Sequence, residues 1–317
     1  MKYSGIGGQA VIEGIMMMKG EDYAVAVRRP DKEIEVKKDT YQSITKKAKI
    51  LQLPFVRGVF RFADSMIIGM RSLTYSASFF EDDEDAEPGK FEQFLDRVFG
   101  EKLESAIMAA VLVISFILAI GIFMLLPLGI ANLFKGVITS DHLMAVLEGV
   151  IRIAIFIIYI KLVSRMEDIR RTFMYHGAEH KCINCVEHGH PLTVKYVRES
   201  SKEHKRCGTS FILIVMVISI LMFMVIRVDT IWMRILSRII LVPVIAGISY
   251  EVLQCAGRSN SKFMDLVSRP GMWMQGLTTK EPDDSMIEVI AATEAVFDWR
   301  EYLTENFPGW EKQLEES

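Results

Sequence analysis

The sequence predicts a mainly α, polytopic helical membrane protein of about four spans, with a small N-terminal β unit and cytoplasmic helical elements. Three observations carry this. Hydrophobic residues make up 50% of the 317, 19 of them Met, and the mean hydropathy is +0.25. That is too apolar for an ordinary soluble enzyme and not apolar enough for membrane throughout. Residues 105–134 carry no charge, ample for a span of ~20 residues. Residues 5–40 instead show short alternating runs with turn residues between them. The implied organisation is a β unit (1–40), amphipathic helices and an acidic linker (41–104), a four-span domain (105–256) that includes a His/Cys loop (165–207), and a helical cap (257–317).

In the β unit, Gly7-Gly8 reads as a turn before the apolar run from Ala10 to Ile12. No P-loop lysine follows these glycines. Tyr23–Arg28 and Glu33–Lys37 alternate around Arg29-Pro30-Asp31-Lys32, a hairpin pattern. Met16-Met17-Met18 reads as packing. From Ser43 to Phe79 the pattern turns helical, and Pro54 breaks or starts a helix. Arg57, Arg61, Asp64 and Arg71 interleave there with Phe60, Phe62, Met66 and Met70. Such a helix either lies in a membrane interface or packs on the protein's own spans. Residues 81–89 form a solvated acidic linker without the spaced ligands of an EF-hand.

The first span covers 105–134 with a kink expected at Pro127. The second, near 143–164, contains Glu148 and Arg152, spaced to neutralise one another. The third, 208–226, is uncharged; the fourth, near 233–255, carries Arg234 and Arg238 towards one end and Glu251 towards the other. Ten Lys/Arg lie from Lys161 to Arg206, against Lys135 alone between spans one and two. By the positive-inside rule the long connection and both termini face the cytoplasm. The four cysteines, Cys182, Cys185, Cys207 and Cys255, are too few and too uneven for a disulfide framework. The N-terminus shows no signal-peptide pattern. A net charge of −3 without a basic block gives no reason to expect nucleic acid. The expected partners are the lipid bilayer and other membrane proteins.

The chemistry concentrates in Tyr175-His176-Gly177-Ala178-Glu179-His180-Lys181. On a helix, His176, Glu179 and His180 share roughly 100° of arc. H-x-x-E-H is also the order of a zinc-hydrolase signature, with two His ligands and a Glu as general base. The alternative is an ordinary helix end meeting solvent. All but one of the six histidines fall between 176 and 204. Cys182-x-x-Cys185 with His204-x-x-Cys207 offers a closed zinc site, though the spacing fits no finger class well. Cys207, beside Arg206 and before the third span, is a ligand, a nucleophile or a small residue at a helix cap. Two histidines alone rarely hold zinc. Glu251, at the cytoplasmic end of the fourth span, is the expected third ligand, with His204 and Cys207 as rivals; otherwise it pairs with Arg152 or Arg165 or snorkels to water.

Several segments together resemble one family. They are Gly7–Gly14, His176–Lys181, Arg206-Cys207-Gly208-Thr209-Ser210, Tyr250-Glu251, Pro270-Gly271, Gln275 and Thr278–Pro282. The chain is similar, over nearly its whole length, to the YqhQ-like bacterial membrane proteins of unknown function, described as predicted metal-dependent enzymes. The resemblance implies a bacterial plasma-membrane location and a metal-dependent chemistry. Cys182 lies outside the family pattern, which counts against the Cys-x-x-Cys zinc site.

Beyond the fourth span, Gly257–Asn260 ends the helix, Pro270-Gly271 reads as a turn, and a helix follows near 284–301. Its buried stripe is Met286, Val289, Ile290, Val296 and Phe297, with Thr293 the polar member. The leading expectation is a membrane-embedded, metal-dependent hydrolase. His176, His180 and Glu251 or His204 bind a divalent metal, most naturally zinc, with Glu179 and Cys207 as catalytic groups. The competing expectation is a non-catalytic scaffold or assembly factor with a structural His/Cys metal site. The sequence names no substrate, whether a small molecule or a lipid.

Overall fold

The computed structural model describes residues 1–80, 103–226, 230–258 and 261–314. The chain divides into two compact units, Met1–Phe80 with Ile160–Ser317, and Glu81–Tyr159. The acidic stretch 81–89 lies outside the described residues, as do 259–260.

The larger unit opens with four antiparallel strands in sequential order, β1 (Ile6–Val11), β2 (Gly14–Lys19), β3 (Asp22–Arg28) and β4 (Ile34–Thr40). Gly7 and Gly8 lie within β1, opposite Met18 and Met17, and do not form the expected turn. At Gly8 the Met16 carbonyl and the Met17 and Glu179 side chains approach the backbone too closely for a Cβ. The turn comes at Ile12-Glu13 instead, with Glu13 at φ 50°. Alternate residues of β2 enter two cores. Ile15 and Met17 join one with Tyr175, Ile183 and Trp299; Met16 joins another with Val11, Val25 and Ile68. Both faces are covered, so β2 reads as an unbroken apolar run.

Helix α1 (Val56–Ala77) starts just after Pro54. In the other unit, α2 (Leu103–Ile120) passes through a π turn (Gly121–Leu125) into α3 (Leu126–Asn132). The π turn ends just before Pro127, which stands in the first turn of α3. Helix α4 (Asp141–Val163) follows, with Arg152 donating to Glu148 at 2.7 Å.

The larger unit resumes with α5 (Glu167–Glu187), α6 (Val194–Glu199), α7 (Gly208–Val225), α8 (Ile231–Arg258) and α9 (Lys262–Thr278). Pro270-Gly271 is interior to α9 and not a turn. Tertiary packing overrides the local signal, since Gln275 and Thr278 of α9 hydrogen-bond Ser210 and Thr209 of α7. The expected helix at 284–301 is broken into α10 (Asp284–Ile287), a 3₁₀ turn, α11 (Ala291–Val296) and α12 (Trp299–Asn306). Met286, Val289, Thr293 and Phe297 of the expected stripe are buried, whereas Ile290 and Val296 are half-buried.

Four helical segments are long and apolar enough to cross a membrane: Val113–Asn132, Asp141–Val163, Gly208–Val225 and Ile235–Gly257. They coincide with the four expected spans.

Candidate metal centre

Helix α5 begins with Glu167 and Asp168 in its first turn, where the helix dipole favours acidic groups. Its second half is enclosed: every residue from Gly177 to Glu187 is buried. Gly177 is required by a close approach. A Cβ there would collide with the carbonyl oxygen of Lys280, the residue whose N–H bonds the Phe173 carbonyl at 2.8 Å. This docks residues 278–282 along α5.

His176 and His180, one turn apart, stand with ring centroids 4.5 Å apart. Each Nδ1 is within hydrogen-bond distance of a backbone carbonyl, His176 with Thr278 at 2.9 Å and His180 with Lys202 at 2.6 Å. Donation from Nδ1 to these carbonyls leaves the Nε2 lone pairs for a ligand, the usual support of metal-binding imidazoles. Cys207 is the N-cap of α7, its sulfur accepting the Thr209 N–H at 3.3 Å. That sulfur is 3.2 Å from His176 Nε2. One ligand atom from each of His176, His180 and Cys207 lies within 4.8 Å of the other two. Two imidazoles and one thiol form a donor set suited to zinc, and three protein donors leave a fourth position for another ligand.

Glu179 flanks this set, with Oε2 3.5 Å from His180 Nε2. It is 3% exposed. Burial pushes its carboxyl up to about 7, partly opposed by His176 and Arg206. A Cβ added to Gly8 of β1 would press on its side chain, so the strand forms a wall of the site.

The other sequence candidates fall outside the cluster. Glu251 is held by Arg57, whose Nε and Nη2 donate at 2.7 and 2.6 Å, and by the Phe55 N–H at 3.3 Å. The structure thus pairs Glu251 with Arg57, a cation from α1. His204 faces Glu187 at 3.5 Å, its ring centroid 5.8 Å from that of His180. Burial holds its imidazole below the ordinary range. Cys182 and Cys185 are buried in the apolar core rather than gathered with His204 and Cys207, and burial pushes the Cys185 thiol up to about 12.

Several supporting groups have no local sequence signal. Gln275 clamps the chain before Cys207: its Oε1 accepts the His204 N–H at 2.9 Å, and its Nε2 donates to the His204 carbonyl at 2.7 Å and to Ser210 at 2.9 Å. Lys181, buried, donates to the Arg198 and Ser200 carbonyls and pairs with Glu281 at 2.6 Å. Glu13 receives both arms of Arg171. Of the segments that carried the family resemblance, Gly7–Gly14, Arg206–Ser210 and Thr278–Pro282 meet α5, whereas Glu251 meets α1.

Residues 53–299 match the family described as "Protein of unknown function (DUF1385)". The chain belongs to this DUF1385 family. A family relative by sequence is "Uncharacterized protein YqhQ" of Bacillus subtilis (strain 168), 34% identical over 284 residues that cover 89% of each protein. No solved structure matches the chain. For the family, the present fold locates the His176–His180–Cys207 set at the junction of α5 and α7.

Proposed function

We propose that this chain is an integral protein of the bacterial plasma membrane that binds a zinc-like divalent ion at His176, His180 and Cys207, and that it is a metal-dependent hydrolase acting at the cytoplasmic face. The observation that carries the reading is the convergence of three donor atoms within 4.8 Å, with both imidazoles oriented through backbone carbonyls. The four apolar helices support the membrane assignment. The excess of Lys/Arg between 161 and 206 supports the cytoplasmic side.

A bound divalent ion supplies Lewis acidity and makes water a stronger acid. The chain's own residues do the rest. Glu179, beside the Nε2 edge of His180, takes the proton from the attacking water and later delivers it to the leaving group. The Thr278 and Lys202 carbonyls keep both imidazoles in the tautomer with Nε2 unprotonated. The substrate is a small molecule or a lipid.

A second reading has an observation of its own. Glu179 and His180 are 3% and 1% exposed, the burial of a closed site in which Glu179 is the fourth ligand. The protein is then a scaffold or assembly factor for other membrane proteins. Metal analysis of the detergent-purified protein tests both. Under the hydrolase reading the wild type carries one zinc per chain, His176→Ala loses it and Glu179→Gln retains it. Loss of zinc in Glu179→Gln favours the structural site, and absence of metal from the wild type overturns both.

A further inference from the structure

A cleft of about 520 Å3 lies beside the metal centre in the same unit, between the sheet, α1 and the C-terminal end of α8. It is lined by Gly7 and Gly8 of β1, Arg61 and Ser65 of α1, Arg206, and Tyr250 of α8. Two of these residues adjoin the centre. A Cβ at Gly8 would meet the Glu179 side chain, and Arg206 precedes Cys207 in the chain.

The cleft's charges are unevenly satisfied. Of its acidic residues, Glu21 pairs with Lys46 at 2.8 Å. Asp64 is occupied by Tyr41, Ser43 and the Ile44 N–H. Two guanidinium groups remain. Arg61 makes no hydrogen bond or ion pair among the described residues. Arg206 gives one arm to Glu187 and lies 4.4 Å from the ring centroid of Tyr3, while its Nη1 is buried without a hydrogen-bond partner. A buried donor left unmade is costly, and an anionic oxygen is the acceptor that suits a guanidinium best.

Gly7 adds a separate observation. A Cβ built there meets nothing within 4 Å, so no contact of the fold itself requires glycine. Its missing side chain keeps the cleft open and lets a ligand approach the strand backbone. The source of the ligand follows from α1. The helix that places Arg61 in the cleft also exposes Phe62 (44%), Met66 (54%) and Met70 (50%), an apolar face with cations beside it, as on helices that lie in an anionic bilayer surface.

We infer that this cleft binds the phosphate-bearing headgroup of an anionic lipid, held by Arg61 and Arg206 against Gly7 and Gly8. As a substrate site it rests on the hydrolase reading above; as a binding site it does not. The probe is short-chain phosphatidylglycerol added to the full-length protein in neutral detergent, with binding read from the rise in melting temperature. Parallel titrations use glycerol phosphate, and short-chain diacylglycerol without phosphate.

Phosphatidylglycerol is expected to bind, with Arg61→Gln weakening it roughly tenfold or more. Gly7→Val, which fills open space and suits a strand, is expected to abolish binding while the metal content stays at the wild-type level. Equal affinity for diacylglycerol overturns phosphate recognition, and equal affinity for glycerol phosphate overturns the lipid source. Unchanged binding in either variant overturns the cleft as the site. His176→Ala separates the two readings: it should lose metal and keep lipid binding, so failure of one proposal leaves the other standing.

Discussion

Glu187 offers a measurement whose size follows from the structure. Its carboxylate, fully buried at the end of α5, accepts the Ser4 N–H at 2.9 Å and the Ser4 hydroxyl at 2.7 Å, and pairs with Arg206. Burial alone would raise its pKa. The neighbouring His204, the charge of Arg206 and the hydrogen bonds from Ser4 prevail and hold the pKa down at about 2, against 4.5 for an ordinary Glu. That gap is worth about 3 kcal/mol of folding stability. Above pH 4.5 the group is charged in both folded and unfolded chains, and the contribution is fully present. On acidification the unfolded chain takes up the proton first. The contribution then drains away as the pH falls towards 2, with about 2 kcal/mol gone by pH 3. Glu187→Gln keeps the shape but leaves Arg206 without its charge partner, so the variant should be about 3 kcal/mol less stable at pH 7. Urea unfolding in mild detergent, followed by tryptophan fluorescence, reports on this region because Trp299 and Trp310 pack edge to face in the core that includes α5. The gap between wild type and variant should narrow by about 2 kcal/mol between pH 6 and pH 3. A gap that stays constant over that range refutes the argument.

Three further outcomes are expected. Gly177→Ala drives a methyl group into the Lys280 carbonyl and should cost about 1–3 kcal/mol in the same urea assay. Glu251→Gln, which loosens the Arg57 contact, should retain full metal in plasma emission spectrometry of the purified protein, whereas His176→Ala should lose it. Single cysteines placed in 136–141 should react with an impermeant maleimide added to intact cells, and those in 185–203 should not; labelling of the second set would reverse the orientation.

What the sequence made legible followed from long-range averages and simple periodicity. Four apolar stretches became four apolar helices, and the i,i+4 histidines share one helix face. Cys207 was recognisable as a candidate because it precedes an uncharged run, and it does cap that helix. The third member of the donor set was the harder inference. Glu251 lies at the expected end of its helix, but its partner Arg57 is 194 residues away, and no local pattern reveals such a contact. Gly7-Gly8 misled for a related reason: the pair looks like a turn, yet Gly8 is hemmed in by the Met16 carbonyl of β2 and by the side chains of Met17 and the distant Glu179. Pro270 likewise signalled a break that contacts with α7 override. The carbonyls of Thr278 and Lys202 that orient the imidazoles carry no side-chain signature at all.

The enclosure of α5 has a consequence in time. His176 and His180 are synthesised well before the carbonyl of Thr278 that orients one of them, and before the residues from Met286 to Trp310 that complete the core around the helix. Contacts of such wide sequence separation form late in folding. A nascent chain stopped short of residue 278 carries both histidines and the cysteine but has no finished centre. Its α5 would lack the Lys280 contact with Phe173 and the core residues from Met286 to Trp310 that cover the helix. If the centre binds a metal as proposed, its occupancy reports that translation has proceeded past the fourth apolar helix and that the flanking segments have closed on α5, a marker of completed assembly.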